Sequence, residues 1–188
     1  EIDARRKSWG PNFLRMGVSV EQDFDGGATA NAGARVLIND LHAQASDDAV
    51  HTLQTQGIEA RAACFDVADM AAVQTAAQAL DTAGWSVDIL VSNAGNQNRK
   101  ALVEMSRKEW QKIQDVHVGG AFNCSRVFLP GMCARGFGRV VMTSSVSGQA
   151  TMPLIGAYST AKAALGMPAS SNTLSAIAPS RAAASACP

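Results

Sequence analysis

Tyr158 and Lys162 stand four residues apart and follow Ser145, and side chains of these three types can together move a proton to or from the hydroxyl of a carbinol carbon. A free phenol titrates near about pH 10, so acid–base work at neutral pH needs a cation beside it, and the i+4 position of a helix supplies one. A serine hydroxyl can donate a hydrogen bond to a carbonyl oxygen at the same time. Tyr158 is the only tyrosine of the chain. The three roles fit one reaction, hydride addition to a carbonyl.

The stretch before Ser145 helps to decide whether these three residues form a functional site or have only structural roles. A half-buried aromatic ring, a solvated lysine and one serine among several in residues 143–147 would show the same spacing without any chemistry. Residues 138–145, however, run from a turn through an apolar strand into a polar end. Sites in open α/β sheets lie at such strand ends, so the context favours a functional site.

A second polar segment ends another apolar strand. Asn93, Ala94 and Gly95 follow residues 87–91, which read Val-Asp-Ile-Leu-Val. Glycine lets the backbone approach a ligand closely, and asparagine can brace neighbouring strands. The alternative is an ordinary turn from a strand into a loop.

In order and spacing, this Asn-Ala-Gly segment, the serine and the Tyr-x-x-x-Lys pair resemble the short-chain dehydrogenase/reductase family, whose members are NAD(P)-dependent oxidoreductases on a Rossmann fold. The resemblance runs from about residue 28 to residue 167, about three quarters of the chain. It implies reversible hydride transfer between a nicotinamide cofactor and an alcohol or ketone.

The resemblance also implies roles for the polar residues. Tyr158 would be the acid–base group, Lys162 the cation that stabilises its phenolate and holds the nicotinamide ribose, and Ser145 the group that orients the carbonyl. His117 aligns with the family's proton-relay asparagine, whose main-chain carbonyl holds a water next to the lysine. A histidine packed inside the protein or exposed on a helix is an equally open interpretation of His117.

The segment of Asn93, Ala94 and Gly95 and two aspartates are candidates for contacting a nucleotide. Asp40 ends an apolar strand, where a carboxylate can accept both ribose hydroxyls of an adenosine and would repel a 2′-phosphate, which favours NAD over NADP. Asp66 and Val67 match the family's adenine-contacting pair. Each aspartate also has a structural alternative, as a helix N-cap before His42 and before a helix that begins near Met70.

Apolar runs of strand length alternate with stretches of helical period, the pattern of a parallel sheet covered by helices. The sequence therefore predicts an α/β fold, a Rossmann-like doubly wound parallel sheet in one domain, residues 1–167, with an irregular C-terminal tail, residues 168–188. The predicted strands are residues 35–39, 61–65, 87–92 and 139–143. The predicted helices are residues 43–56, 70–83 and 107–135, the last interrupted near Pro130. Gly57 and Gly84 mark helix ends, and Ser106 with Glu109 indicates a capping box.

Both ends depart from the family pattern. Residues 16–23 carry no match to its Thr-Gly-x-x-x-Gly-x-Gly loop, and residues 168–188 are rich in Ala, Ser and Pro. The sheet is therefore expected to be incomplete at the glycine-rich loop and at the C-terminal strands, and out-of-register translation of both ends is one hypothesis. The alternative to an active enzyme is a catalytically impaired Rossmann remnant, structural or partner-binding, without the cofactor loop.

Composition limits the other function classes. Sixteen basic and sixteen acidic residues give zero net charge, so no electrostatic case exists for nucleic acid or an anionic membrane. No apolar stretch is long enough to cross a bilayer, and residues 1–7 lack the apolar core of a secretion signal, so a cytoplasmic location is expected. The cysteines and histidines show no metal-ligand spacing, and neither a metal site nor a disulfide framework is indicated.

The expected partners are a small-molecule alcohol or ketone and further copies of the chain. The polar loop of residues 96–100, with Arg99, hints at a hydroxylated or acidic substrate and faintly resembles sugar-acid dehydrogenases. A solvated surface loop is the alternative, and acyl-thioester reductases of the same family remain open. Ala157, Ala161 and Ala164 would let the tyrosine helix pack closely on a neighbouring subunit of a homo-oligomer, a dimer or tetramer.

Overall fold

The framework of the protein is a sheet with helices on both faces. The computed structural model describes residues 34–166 together with the backbone of residues 12–16 and 174–177. The strands are β1 (Asn12–Met16), β2 (Arg35–Asn39), β3 (Ala60–Ala62), β4 (Ile89–Ser92), β5 (Arg139–Thr143) and β6 (Leu174–Ile177). The α-helices are α1 (Ala43–Thr55), α2 (Met70–Thr82), α3 (Arg107–Gln114), α4 (Gly120–Ala134) and α5 (Gly156–Leu165). A π-helical turn, Asp115–Gly119, joins α3 to α4, and short 3₁₀ turns occupy Leu102–Glu104 and Val146–Gly148.

The order of the strands is that of a doubly wound sheet. Within the described residues, the order is β3-β2-β1-β4-β5-β6. The first five strands are parallel, and β6 pairs antiparallel with β5. The chain moves outward in one direction from β1 to β3 and in the other from β4 to β6, so the winding reverses between β1 and β4. Ligand sites of such sheets lie beyond the carboxyl ends of the strands at this reversal. The predicted Rossmann-like sheet is confirmed.

Two apolar layers fill the space between sheet and helices. On one face, Leu37, Leu90 and Val140 pack with Val73 of α2 and Phe128 of α4. On the other face, Val36, Ile38 and Val91 pack against α1. Neighbouring strand residues alternate between the two layers because successive side chains of a strand point to opposite faces. Burial on both faces explains why these strands read as continuous apolar runs.

Local signals in the sequence set most of the element boundaries. The predicted bounds of β2 and β5 match the observed ones, whereas β3 and β4 are shorter than predicted. Gly57 and Gly84 follow the ends of α1 and α2 with φ of 78° and 72°, a conformation that glycine adopts without steric cost. Ser106 and Glu109 form the predicted capping box at the start of α3.

The predicted interruption at Pro130 is wrong. Helix α4 continues through Pro130 to Ala134. Proline removes one backbone hydrogen bond, but the buried side chains of Phe128 and Met132 on either side of it hold the helix against the core. The irregular turn lies earlier, at Asp115–Gly119, and it carries His117.

Strands β1 and β6 were not predicted from the sequence. The C-terminal tail was expected to be irregular, yet residues 174–177 add a strand to the edge of the sheet, where Met142 pairs with Ser175. Four residues are too few to show a strand period, and their partner strand is remote in sequence. The rest of the tail and nearly all of the segment expected to hold the glycine-rich loop lie outside the described residues.

Membrane crossing and metal binding each require features that the described part of the chain lacks. None of its helices combines the length and apolarity that crossing a membrane requires. Residues 34–166 contain no group of three or more His, Cys, Asp or Glu side chains placed to share a metal ion. Burial raises the pKa of the Cys124 thiol to about 12, so this cysteine is a packing residue rather than a nucleophile.

Leucine truncation should separate the core from the surface. We expect Leu90→Ala, at a fully buried position, to lower the free energy of unfolding by about 2–5 kcal/mol through lost burial and a residual cavity. Leu41→Ala, at a position 66% exposed, should change it by less than about 0.5 kcal/mol. Urea unfolding of both variants checks this, and equal losses would contradict the assigned core.

Candidate functional site

A cleft of about 760 Å³ opens at the carboxyl edge of the sheet. It lies beyond the ends of β2, β3 and β4, near the reversal of the winding. Its lining includes the six residues that the sequence analysis placed in loops around a nucleotide: Asp40, Asp66, Val67, Asn93, Ala94 and Gly95. The structure therefore brings these residues together around one space.

The two aspartates of the cleft have the same structural task, because each accepts a hydrogen bond from the backbone two residues further on. The Asp40 carboxylate accepts a hydrogen bond from the His42 backbone N–H at 2.8 Å, while His42 itself is the N-cap of α1. The Asp66 carboxylate accepts from the Ala68 backbone N–H at 2.9 Å. Helix α2 is capped by Asp69 instead, so the helix-cap interpretation of Asp66 is wrong. Both carboxylates shape the turns that leave the sheet at the edge of the cleft.

Two buried asparagines that the sequence analysis did not assign to the site hold its walls. Asn39 donates through Nδ2 to the carbonyls of Ala63 and Phe65 at 2.8 and 3.0 Å. Asn123 of α4 donates to the Val67 carbonyl at 2.9 Å. Buried polar side chains need such partners, so each amide fixes a loop. The signal available in the sequence was an asparagine within an otherwise apolar strand or helix.

Gly120 explains why α4 can approach the cleft so closely. A Cβ atom at this position would stand 2.6 Å from Val67 Cγ2, closer than side chains pack. The glycine therefore lets the helix backbone contact Val67, while Asn123 holds the carbonyl of the same residue. Helix α4 therefore holds both the side chain and the backbone carbonyl of Val67.

His117 packs directly on the segment that follows β4. Its Nε2 lies 2.8 Å from the Asn96 carbonyl oxygen and 3.1 Å from the Asn96 nitrogen. A Cβ atom at position 95 would stand 2.4 Å from His117 Cε1, so any side chain there would have to displace the imidazole. The space where a side chain of residue 95 would stand is thus filled by a histidine ring of the same chain. The predicted approach of a ligand to the Gly95 backbone stays a prediction.

Glu109 anchors the polar loop of residues 96–100. Its carboxylate accepts from Lys100 Nζ at 3.0 Å, from Asn98 Nδ2 at 3.2 Å and from the Ser106 backbone N–H at 2.8 Å. These hydrogen bonds, first those of Ser106, lower the pKa of Glu109 to about 2. Part of the loop's polarity is therefore used to hold the loop in place, and Arg99 is left exposed beside Gln97.

Lys162 connects the tyrosine helix to the strand end that precedes Ser145. Its ammonium group donates to the Thr143 carbonyl at 2.7 Å and lies 5.7 Å from the centroid of the Tyr158 ring. Ser145 begins the 3₁₀ turn after β5, and its hydroxyl accepts from the Ser147 backbone N–H at 3.2 Å. Both Ser145 and Tyr158 are half-buried. One buried lysine thus joins the elements that carry the other two residues.

A second contact holds the same two elements together. The Ser144 hydroxyl donates to the Lys162 backbone carbonyl at 2.9 Å. A Cβ atom on Gly148 would stand 2.8 Å from the Ala163 nitrogen, so the 3₁₀ turn lies directly on the backbone of α5. The distance between Ser145 and the tyrosine helix is therefore set by backbone contacts.

The sequence model described as short chain dehydrogenase matches residues 27–175. The chain belongs to this family. Gluconate 5-dehydrogenase of Gluconobacter oxydans is 34% identical over 136 residues, which are 72% of this chain and 53% of that protein. The 5-keto-D-gluconate 5-reductase of Escherichia coli K12 is 30% identical over 135 residues, 72% of this chain and 53% of the relative.

A solved structure is similar to this chain in both sequence and fold. A gluconate 5-dehydrogenase from Burkholderia cenocepacia, in complex with NADP and tartrate, superposes with a TM-score of 0.74 at 30% identity. The superposition covers 83% of this chain and 62% of that one. The chain spans about half the length of the curated relatives it matches.

In this member of the short-chain dehydrogenase family, burial lowers the pKa values of two candidate site residues. Burial lowers the pKa of Lys162 to about 8. Burial also lowers the pKa of His117, the positive charge of Lys162 adds to that effect, and the hydrogen bond to Asn96 opposes it. The ammonium therefore remains mainly protonated at neutral pH, while the imidazole is neutral.

The catalytic candidates do not line the cleft, and His117 lies between them and the cleft wall. Ser145, Tyr158 and Lys162 do not line the 760 Å³ space. The rings of His117 and Tyr158 meet edge to face, with centroids 5.4 Å apart and an interplanar angle of 81°. His117 is 2% exposed, so it is packed between the two halves of the site and not on the helix surface.

The expectation for the alanines of α5 needs correction. Ala157 and Ala161 are buried against Ile113 of α3 within the same chain. Only Ala164 of the three is exposed. The small side chains of Ala157 and Ala161 allow α3 and α5 to pack together, so these two alanines are not free to contact a second subunit.

Burial of the Lys162 charge should appear in the pH dependence of stability. The folded state has a pKa of about 8 and the unfolded chain keeps 10.5, so the unfolded state binds more protons between these values and stability rises with pH there. Relative to Lys162→Met, we expect the wild type to gain on the order of 3 kcal/mol across this window.

Urea unfolding at several pH values between about 7.5 and 11 measures this difference. Lys108→Met, at an exposed position of α3, is the matched control and should leave the pH profile unchanged. Parallel profiles for the wild type and Lys162→Met would contradict the assigned burial.

Proposed function

We propose that the protein is an NAD(P)-dependent oxidoreductase that transfers a hydride reversibly between a nicotinamide cofactor and an alcohol or ketone. The observation that carries this proposal is the Lys162 ammonium, buried beside Tyr158 and hydrogen-bonded to the end of the strand that leads to Ser145. Family membership supports the same reaction type. The activity is proposed for the whole protein, because the chain spans about half the length of the relatives it matches.

The chain's own residues would manage the proton and the oxygen. In the direction of oxidation, the substrate hydroxyl gives its proton to the Tyr158 oxygen while the hydride leaves the carbinol carbon. The Lys162 ammonium stabilises the phenolate by Coulomb attraction, which is strong at a site shielded from water. The Ser145 hydroxyl donates to the substrate oxygen and orients it. In reduction, each step runs backward and Tyr158 protonates the carbonyl oxygen.

The cleft suits the adenosine part of a dinucleotide. Asp40 stands at its edge where ribose hydroxyls need an acceptor, and Asp66 with Val67 and the segment of Asn93, Ala94 and Gly95 form its walls. A nicotinamide supplies the hydride acceptor or donor when it is bound. Because a carboxylate repels a 2′-phosphate, we propose NAD as the cofactor, with NADP, which the Burkholderia relative binds, as the alternative.

For the substrate we propose a hydroxylated acid or its ketone. Two relatives are named for gluconate chemistry, and Arg99 offers an exposed cation on the polar loop of residues 96–100. We further propose a cytoplasmic location and a homo-oligomer.

Cofactor binding provides the first test. We expect NADH fluorescence to show saturable binding to the full chain and Asp40→Ala to weaken it about tenfold, because the ribose hydroxyls lose their acceptor. The same variant should narrow the preference for NADH over NADPH. Asp47→Ala, which removes an exposed carboxylate from α1, is the matched control. Absence of binding at millimolar cofactor would favour the impaired, non-catalytic alternative.

Turnover provides the second test. With gluconate, 5-ketogluconate and a panel of alcohols, we expect Tyr158→Phe to lower kcat by about 10²–10⁴-fold while NADH binding changes little, because only the proton-transfer group is lost. Thr160→Val, on the exposed side of the same helix, should retain activity. Full activity in Tyr158→Phe would exclude tyrosine as the acid–base group.

A further inference from the structure

His117 contacts both halves of the site, which its position in the sequence does not reveal. On one side, its Nε2 lies 2.8 Å from the Asn96 carbonyl oxygen, and its Cε1 lies 2.4 Å from the place where a Cβ atom of residue 95 would stand. On the other side, its ring meets the ring of Tyr158 edge to face at 5.4 Å. The wall of the cleft and the phenol are therefore separated by a single imidazole.

The imidazole has little freedom to move independently of these neighbours. It is 2% exposed, and a Cβ atom on Gly95 would already overlap it at 2.4 Å. Densely packed side chains transmit a displacement because no free volume absorbs it. The shorter of the two Nε2 contacts fits a hydrogen bond donated to the Asn96 carbonyl, which fixes the rotation of the ring.

We propose that His117 is a positioning residue that fixes the ring of Tyr158 relative to the Gly95-Asn96 wall of the cleft. A shift of this wall moves the imidazole, and the imidazole moves the phenol by direct contact. The inference rests on the proposed function, in which a bound cofactor occupies the cleft beside Gly95. Cofactor occupancy and the placement of the acid–base oxygen are then coupled through one side chain.

Packing and one hydrogen bond suffice for this coupling. Among the described residues, Tyr158 of α5 contacts the imidazole, and the positive charge of Lys162 of α5 acts on it electrostatically. The neutral ring avoids repulsion from the Lys162 ammonium and still donates to the Asn96 carbonyl. Removing the ring would remove the contact through which His117 joins the phenol to the wall.

The single tyrosine allows a direct test without any cofactor. A ¹³C label on the tyrosine ring gives one resonance from the full chain, and it reports Tyr158 alone. Gly95→Ala places a methyl group against the imidazole. We expect this substitution to shift the Tyr158 resonance in the wild-type background and to leave it unshifted in the His117→Ala background. No shift in the wild-type background, or equal shifts in both, overturns the proposal.

A matched histidine and a second variant guard against trivial outcomes. His51→Ala, at an exposed position of α1, should leave the effect of Gly95→Ala intact. If His117→Ala does not fold by circular dichroism, His117→Phe replaces it, because its ring preserves the packing but cannot donate to Asn96. In that background Gly95→Ala must still shift the Tyr158 resonance, and loss of the shift counts against the proposal.

Kinetics then separate this proposal from the proposed function. In an active enzyme, we expect His117→Ala to lower kcat by roughly 10- to 100-fold with a smaller change in NADH affinity, since misplacement of the phenol affects the chemical step. A wild type that binds no NADH defeats the proposed function. An active wild type with unchanged kcat in His117→Ala defeats the positioning role alone.

Discussion

The site depends on a buried ammonium group, that of Lys162, and on its hydrogen bond to the end of β5. Lys162 gives up hydration, and its hydrogen bond to the Thr143 carbonyl offsets part of that loss. The bond ties α5 to the end of β5, so Tyr158 and Ser145 are placed by the same interaction. Burial also lowers the pKa of Lys162 to about 8, so the ammonium group is still charged at neutral pH. A positive charge is what stabilises a phenolate.

The sheet supplies the other constraint. Parallel strands present their carboxyl ends at one edge, and the reversal between β1 and β4 leaves a crevice there. The strands alone would not fix the positions of the loops that leave this edge. Asn39 and Asn123 fix these loops, because their buried amides need the carbonyls of Ala63, Phe65 and Val67 as acceptors.

The connection between cleft and phenol is a feature of this chain's packing. His117 lies on a π-helical turn, and such turns are frequent at functional sites because the wider turn re-aims a side chain. Gly95 leaves the space that the imidazole fills. Polar groups that first suggest substrate binding have internal tasks as well, as Lys100 shows by pairing with Glu109.

The sequence by itself determined the family, the helices, most strands and the residues that meet around the cleft, because apolar period, capping residues and short polar motifs are local signals. Only the tertiary structure decided the passage of α4 through Pro130, the pairing of β6 with β5, the burial of Ala157 and Ala161 and the contact of His117 with Tyr158. Each of these depends on packing between segments that are distant in sequence. Local preference is weaker than such packing, so no window of neighbouring residues contains the answer.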